Sequence, residues 1–288
     1  IQMMGARLPT ALHEPSAAFD GKQIWVFGGL TNLGTMSNQV LKYDPATDVL
    51  SVSSTILPFG RQASSAVWTG QYVFIFGGRS TTSILVDQIV RFDPNSGQMA
   101  VMNSVLPTRR YNMGAIWDGQ HIYLFGGFDY TKVAQILRYD PASDTLVSES
   151  SPLPSARESP DAVFDGVRAI ILGGSTSIFL NEIVTFDPVT KQVATLATTL
   201  PYGAWGAAPV FVAGNAYLIG GQDGFGSTAI NSVSRFSSST NTVLQLPIAL
   251  PHRHHGRGTA STATHGYVFG GYDWVTGGFY DTILRFSP

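Results

Sequence analysis

Apolar and polar positions come in short bursts along this chain, and the bursts recur. "SSAVW" (Ser64 to Trp68) is short and apolar, and "QYVFIFGG" is a β-branched and aromatic run that ends in two glycines. "DQIVRFDP" is a third run, stopped by Asp-Pro, and "QMAVMNSV" is a weaker fourth. Apolar runs of this length suit strands packed on both faces. Asp118-Gly119 and Asp165-Gly166 fall between first and second runs, where Asp-Gly predicts a tight hairpin. Asp-Pro at the end of the third run predicts a turn. Each unit therefore predicts four short antiparallel strands.

The unit is written six times. Gly-Gly pairs follow the second run at Gly28, Gly77, Gly126, Gly173, Gly220 and Gly270, spaced by 49, 49, 47, 47 and 50 residues. Leu-Pro pairs begin at Leu8, Leu57, Leu106, Leu153, Leu200 and Leu250, each 20 residues before its glycine. Four strands in roughly 48 residues, repeated six times, predict an all-β fold: a six-bladed β-propeller of four-stranded antiparallel blades. The expected blades are 8–55, 56–104, 105–151, 152–198, 199–248, and 249–288 together with 1–7, all in one domain spanning 1–288. The sixth blade stops after a third strand, "TILRFSP", while "IQMMGARLP" at the start resembles the fourth-strand segment "VMNSVLP". The first residues are thus expected to complete the last blade and cover its open edge. The chain opens at Ile1 rather than methionine, as removal of an upstream segment would leave it.

Composition narrows the function classes. Charged residues make up 12% of the chain and the net charge is −2, with no block of Lys or Arg. A nucleic-acid binder needs a basic stripe to displace counterions, so none is expected. No apolar run reaches the roughly 20 residues of a membrane-spanning helix. With no cysteine, disulfides, thiolate nucleophiles and thiolate metal sites are excluded.

Double glycine after an apolar strand, followed by an aromatic at the end of the next, resembles the kelch repeat along essentially the whole chain. The usual kelch tryptophan is replaced. Seven residues after Tyr43, Phe92, Tyr139, Phe186 and Phe236 stand Leu50, Met99, Leu146, Val193 and Val243. The resemblance implies a kelch propeller. That family includes protein-binding modules, sugar-active enzymes such as galactose oxidase and sialic acid mutarotase, and iron-dependent plant specifier proteins. Galactose oxidase chemistry needs a cysteine that is absent. The Glu-x3-Asp-x3-His pattern of specifier proteins is also missing, since Glu158 and Asp161 are three apart with no histidine following.

Function on a rigid scaffold concentrates in variable loops. The Gly-Gly to third-strand-aromatic distance varies (15, 15, 13, 13, 16 and 16), whereas the Asp turns are regular. The Leu-Pro/Gly-Gly end is therefore the expected working end. Four residues after each leucine stand Leu12, Arg61, Arg110, Arg157, Ala204 and His254, and next to them His13, Gln62, Tyr111, Glu158, Trp205 and His255. Arginine's planar fork suits carboxylate or phosphate. By resemblance, arginines here read acidic peptides in kelch binding modules. The competing reading is that Arg61, Arg110 and Arg157 pin loops by bonding backbone carbonyls. Its apparent weakness is that a structural clamp should recur in every blade.

Two further clusters stand out. "LPHRHHGRG" holds His252, His254 and His255, with His13 and Glu14 in the adjoining blade. Imidazoles with a carboxylate can hold zinc or iron or move protons, but the spacing matches no metal motif and a plain polar loop is the simpler reading. Phe128, Asp129, Tyr130, Phe225, Tyr272, Asp273 and Trp274 follow the glycine pairs and could, with Tyr111 and Trp205, form a ringed recognition surface. The alternative is that several of these rings only seal neighbouring blades. Glu158 and Asp161 suit a glycosidase poorly, because alternation puts residues three apart on opposite sides of a strand. The sequence thus predicts a monomeric recognition module without cofactor or metal. Its ligand would be an acidic peptide or acidic sugar, contacted by the twelve residues Arg61, Arg110, Tyr111, Asp129, Tyr130, Arg157, Glu158, Trp205, His254, His255, Tyr272 and Trp274. The alternative is a mutarotase-like enzyme or metal-dependent lyase using His254, His255 or Glu158.

Overall fold

The protein is described from a computed structural model that covers the chain except residues 81–83, 225–228, 254 and 257. Every regular element among the described residues is a strand, and they build six four-stranded antiparallel sheets. The first blade sets the pattern: Ser16–Phe19, Ile24–Phe27, Gln39–Asp44 and Val49–Ile56 pair in that order. The sixth departs from chain order as expected: Gln2–Arg7 pairs with Thr282–Phe286, with Gln2 opposite Arg285. These are the six blades of a β-propeller fold. By contact density the chain divides into two compact units, one of Ile1–Tyr111 with Gly256–Pro288 and one of Asn112–His255. Blades six, one and two belong to the first, blades three, four and five to the second.

In four blades the second strand is apolar throughout because both of its faces are covered. Ile24–Phe27, Val73–Phe76, Ile122–Phe125 and Ala169–Leu172 are buried at every position. The cores therefore lie between successive blades. In the first unit, Phe27, Val40 and Leu57 pack with Ile75, Val90 and Phe92. In the second, Tyr123, Phe125 and Ile136 pack with Ile171, Val184 and Phe186. Each such side chain contributes about 1.5–3 kcal/mol when fully buried.

Aliphatic side chains stand where the usual kelch tryptophan would in sequence. Leu50, Met99, Val193 and Val243 lie half-buried against the inter-blade cores. In five blades the third strand also sets a cation opposite an aromatic of the second: Lys42 by Trp25, Arg91 by Phe74, Arg138 by Tyr123, Arg235 by Tyr217 and Arg285 by Tyr267. The Lys42 ammonium lies 5.6 Å from the Trp25 ring, and the Arg91 guanidinium 4.5 Å from that of Tyr72. Both charged heads thus lie within cation–π range of a ring.

Candidate functional site

The Leu-Pro/Gly-Gly end of each blade is built from backbone. The second glycine donates its N–H to the carbonyl of the residue four after the next leucine: Gly29 to Arg61 (2.8 Å), Gly78 to Arg110 (3.0 Å), Gly127 to Arg157 (2.9 Å) and Gly174 to Ala204 (2.8 Å). That residue in turn donates its own N–H to the preceding blade's loop, Arg61 to Ser37 and Arg157 to Val133. The first glycine lies under this junction with φ near +60°. A Cβ at Gly28 would stand 2.2 Å from the Arg61 oxygen, and one at Gly126 would stand 2.5 Å from that of Arg157. Close approach, and not only a turn, requires glycine here.

The three arginines are buried, with Arg61 and Arg157 0% and Arg110 1% exposed. Their guanidinium groups are engaged by protein oxygens. Arg157 donates from Nη1 to the Gly173 carbonyl (3.1 Å) and from Nη2 to Ser155 Oγ and Glu182 Oε2 (both 2.7 Å). Arg61 Nη1 reaches the Gly77 carbonyl (3.2 Å), and Nη2 reaches Gln88 Oε1 (3.4 Å). Arg110 donates to Thr108 Oγ1 (2.7 Å from Nη2). Burial lowers the Arg61 pKa to about 10. A buried guanidinium is tolerable only with such partners. The clamp need not recur, because other residues fill the slot. Leu12 and Ala204 bury there instead, and in blade five Tyr202 Oη accepts from Ser232 and Ser234.

The next residue forms a short ladder with the loop after the glycines: His13 with Leu30, Gln62 with Arg79, Glu158 with Ser175, and Trp205 with Gln222. The one after that is left-handed in all six copies, at Glu14, Ala63, Asn112, Ser159, Gly206 and Gly256, with φ between 48° and 60°. This bend lets one blade's N–H meet the previous blade's carbonyl. In the first unit Glu14 donates to Gly256 (2.7 Å) and Ala63 to Glu14 (2.9 Å); in the second, Ser159 donates to Asn112 (2.9 Å). The sequence shows little of this collar, since only two of its six members are glycine.

The side chains on the collar are largely engaged. Gln62 Nε2 donates to Glu14 Oε2 (2.8 Å). Glu158 Oε1 accepts from buried Ser175 Oγ (3.2 Å) and lies 3.4 Å from Lys132 Nζ, which also donates to Ser175 Oγ (3.0 Å). Trp205 stacks on Phe179 (5.8 Å, 13°) and leans on His255 (5.3 Å), itself fully buried. Tyr111 lies under the Arg79 guanidinium at 5.7 Å. Buried His13 sits beside Tyr272 (5.5 Å) and Phe279 (6.2 Å). His254 and Phe225 lie outside the described residues. Among the described residues no three His, Asp or Glu gather as metal ligands.

The loop tips present a different surface. Asp129 caps its own turn through Thr131, and buried Asp273 caps its hairpin through the Val275 N–H and Thr276 Oγ1. Tyr272 packs edge-to-face on Trp274 (5.0 Å) and on Phe279 (4.8 Å). Every described loop after a glycine pair exposes a large apolar tip: Leu33, Ile84, Trp274 and Val275 in the first unit, Tyr130 and Ile178 in the second, 47–81% exposed. Of these the sequence pointed only to Tyr130 and Trp274. The others stand five to seven residues after the first glycine, a spacing that would have found them.

Six four-stranded blades with double glycines at each inter-blade junction define a kelch-type propeller. The chain matches the family model described as the KLHDC2/KLHL20/DRC7 Kelch-repeats domain over residues 14–221, and the Kelch motif over 206–248. It belongs to the kelch-repeat family, whose propellers generally mediate protein–protein interaction. No curated protein matches it.

Proposed function

We propose that this protein is a protein-recognition module that takes its partner on the Gly-Gly loop end of its blades, through the apolar tips. The observation that carries this reading is their recurrence. All five described loops of this kind expose a large apolar side chain, whereas at the opposite end, among the described residues, only blades one and four do, at Val49, Val167 and Val189. Exposed apolar groups repeated at one end mark interaction surfaces more than scattered ones do. An acidic peptide or acidic sugar gripped by Arg61, Arg110 and Arg157 is disfavoured, because their buried forks already hold protein oxygens. A carbohydrate remains the second reading, favoured by half-exposed Trp274 braced edge-on by Tyr272, a platform that suits a sugar face.

The test compares proteins retained from a lysate by the immobilised wild type, by a Leu33→Asp/Trp274→Ser double variant, and by a Val189→Asp control. The wild type and control should retain the same set, and the double variant should lose it. Equal retention by all three would remove the loop end from consideration. A wild type that retains nothing above bare beads, yet is stabilised by oligosaccharides in a thermal-shift panel, would favour the carbohydrate reading.

A further inference from the structure

The loops after the glycine pairs are not braced alike. In the first unit, Thr31 bonds Thr35 (2.9 Å) and Asp273 bonds Thr276 (3.0 Å), each inside a single loop. In the second unit, blades three and four have the shortest such loops, with 13 residues from the first glycine to the third-strand aromatic in both. Each folds into a small hairpin closed by one bridge, Phe128 with Lys132 and Ser175 with Phe179. The backbone repeats as well: the Asp129 N–H meets the Thr131 carbonyl and the Thr176 N–H meets the Ile178 carbonyl, both at 2.9 Å. Each hairpin lifts one large apolar side chain into solvent, Tyr130 (70% exposed) and Ile178 (63%). Tyr130 stands there at a φ of 74°, a left-handed conformation unfavourable for a bulky residue. Such strain persists only where surrounding contacts hold it, and it clusters at functional sites.

One side chain joins the two hairpins. Lys132, at the foot of the first, carries three N–H donors, and three oxygens stand around them. Its Nζ donates to Ser175 Oγ (3.0 Å) and to the Thr176 carbonyl, and lies 3.4 Å from Glu158 Oε1. Ser175 is fully buried and donates its own hydroxyl to Glu158 Oε1 (3.2 Å). The side chains of Lys132 and Glu158 are themselves only 23% and 16% exposed. An exposed ion pair fixes little, but a shielded ammonium with every donor taken cannot swing away without leaving buried oxygens unpaired. Both attachment points lie two residues from a tip, Lys132 from Tyr130 and Thr176 from Ile178.

We propose that Lys132 is a positioning residue, whose clasp fixes Tyr130 and Ile178 as one preformed apolar surface for the protein partner. The inference rests on the recognition reading above and adds to it which tips act together and what sets their spacing. Loops held in advance need not be ordered when the partner arrives, so the clasp favours binding without touching the partner.

Spin labels test the clasp. The chain has no cysteine, so Tyr130→Cys and Ser177→Cys together provide the only two labelled sites. The distance between the labels should follow one narrow distribution in the otherwise unchanged chain. Lys132→Met removes the ammonium but keeps the stem, and the narrow distribution should be lost. Ser175→Ala removes one of the three oxygens and should broaden it too, so that a folding defect in one variant does not decide the outcome. Arg109→Met, which breaks the exposed pair with Asp87 (3.4 Å) in the first unit, should leave it narrow. A distribution that stays narrow in folded Lys132→Met and Ser175→Ala would overturn the clasp, and so would a broad one in the labelled parent. Retention from a lysate, on unlabelled chains, then reads the use of the surface. Lys132→Met should lose proteins that the wild type and Arg109→Met both hold, and equal retention by all three would end the positioning role. A wild type that retains nothing would instead remove the partner from the proposal along with the recognition reading, while the label distances still decide whether the clasp exists.

Discussion

The two ends of a blade hold their loops by opposite means. At the Asp-turn end, side chains do it locally. Asp20, Asp118 and Asp165 each accept two N–H groups from two and three residues ahead, between 2.6 and 2.9 Å. Asp44, Asp93, Asp140 and Asp187 do likewise after the third strand, beginning with the Ala46, Asn95, Ala142 and Val189 N–H groups. Such turns need a particular side chain, so aspartate recurs and the repeat is easy to read. At the Gly-Gly end the joints are backbone to backbone and run between blades. They demand a conformation and close approach but leave most side chains free to vary. Conserving conformation rather than identity is what lets one end of the scaffold diversify.

The contrast is broken most severely at the glycines. Gly28 and Gly21 both have positive φ, but only Gly28 faces a carbonyl, while Gly21 faces open space. Gly28→Ala should cost about 3 kcal/mol or more in denaturant unfolding, and Gly21→Ala only about 1 kcal/mol. Equal costs would mean that the close approach is not what holds the blades. A smaller effect is expected at Tyr202, whose hydroxyl serves blade five where Ala204 replaces arginine. Tyr202→Phe should cost about 1 kcal/mol, and a neutral result would remove the tyrosine as a substitute for the clamp.

The pH limits of stability sharpen the comparison further. Burial, aided by the hydrogen bond to Asp48, raises the Tyr43 phenol well above its usual value, and burial raises that of Tyr123. The unfolded chain releases these protons near pH 10 while the folded chain keeps them, so stability should fall as pH rises past about 10. Arg61 acts in the opposite sense between its lowered value of about 10 and the higher, ordinary arginine value. There the unfolded chain holds the proton longer, so removing the guanidinium should steepen the alkaline loss. At the acid end, side-chain or backbone donors within each turn hold Asp44, Asp93, Asp140 and Asp187 below the usual carboxylate value. Their contribution is full above about pH 4 and is lost as pH falls through the folded values. Asp187→Ala should flatten that acid limb slightly and lower the melting temperature less than any change at the glycine junction. A pH-titrated melting series reads both limbs.

Much of the fold was legible because its signals are residue types. Gly-Gly, Leu-Pro and Asp turns fixed the period, and the likeness of Gln2–Arg7 to other outer strands anticipated its pairing with Thr282–Phe286. The candidate site was less legible. Arginine looks the same in sequence whether its fork points outward or folds under its own blade onto Gly77 or Gly173. Recurrence in every blade is a poor criterion for a clamp, because Leu12 and Ala204 bury at the equivalent positions without a charge. The left-handed collar was hidden because Glu14, Ala63, Asn112 and Ser159 adopt it without being glycine.

The most direct measurement is equilibrium unfolding of Arg157→Met and Arg61→Met against the wild type. As internal clamps, each should cost about 2–4 kcal/mol, with carbonyls and, for Arg157, the Glu182 carboxylate left without their donor. Unchanged stability in both variants would contradict the account and return the arginines to the ligand.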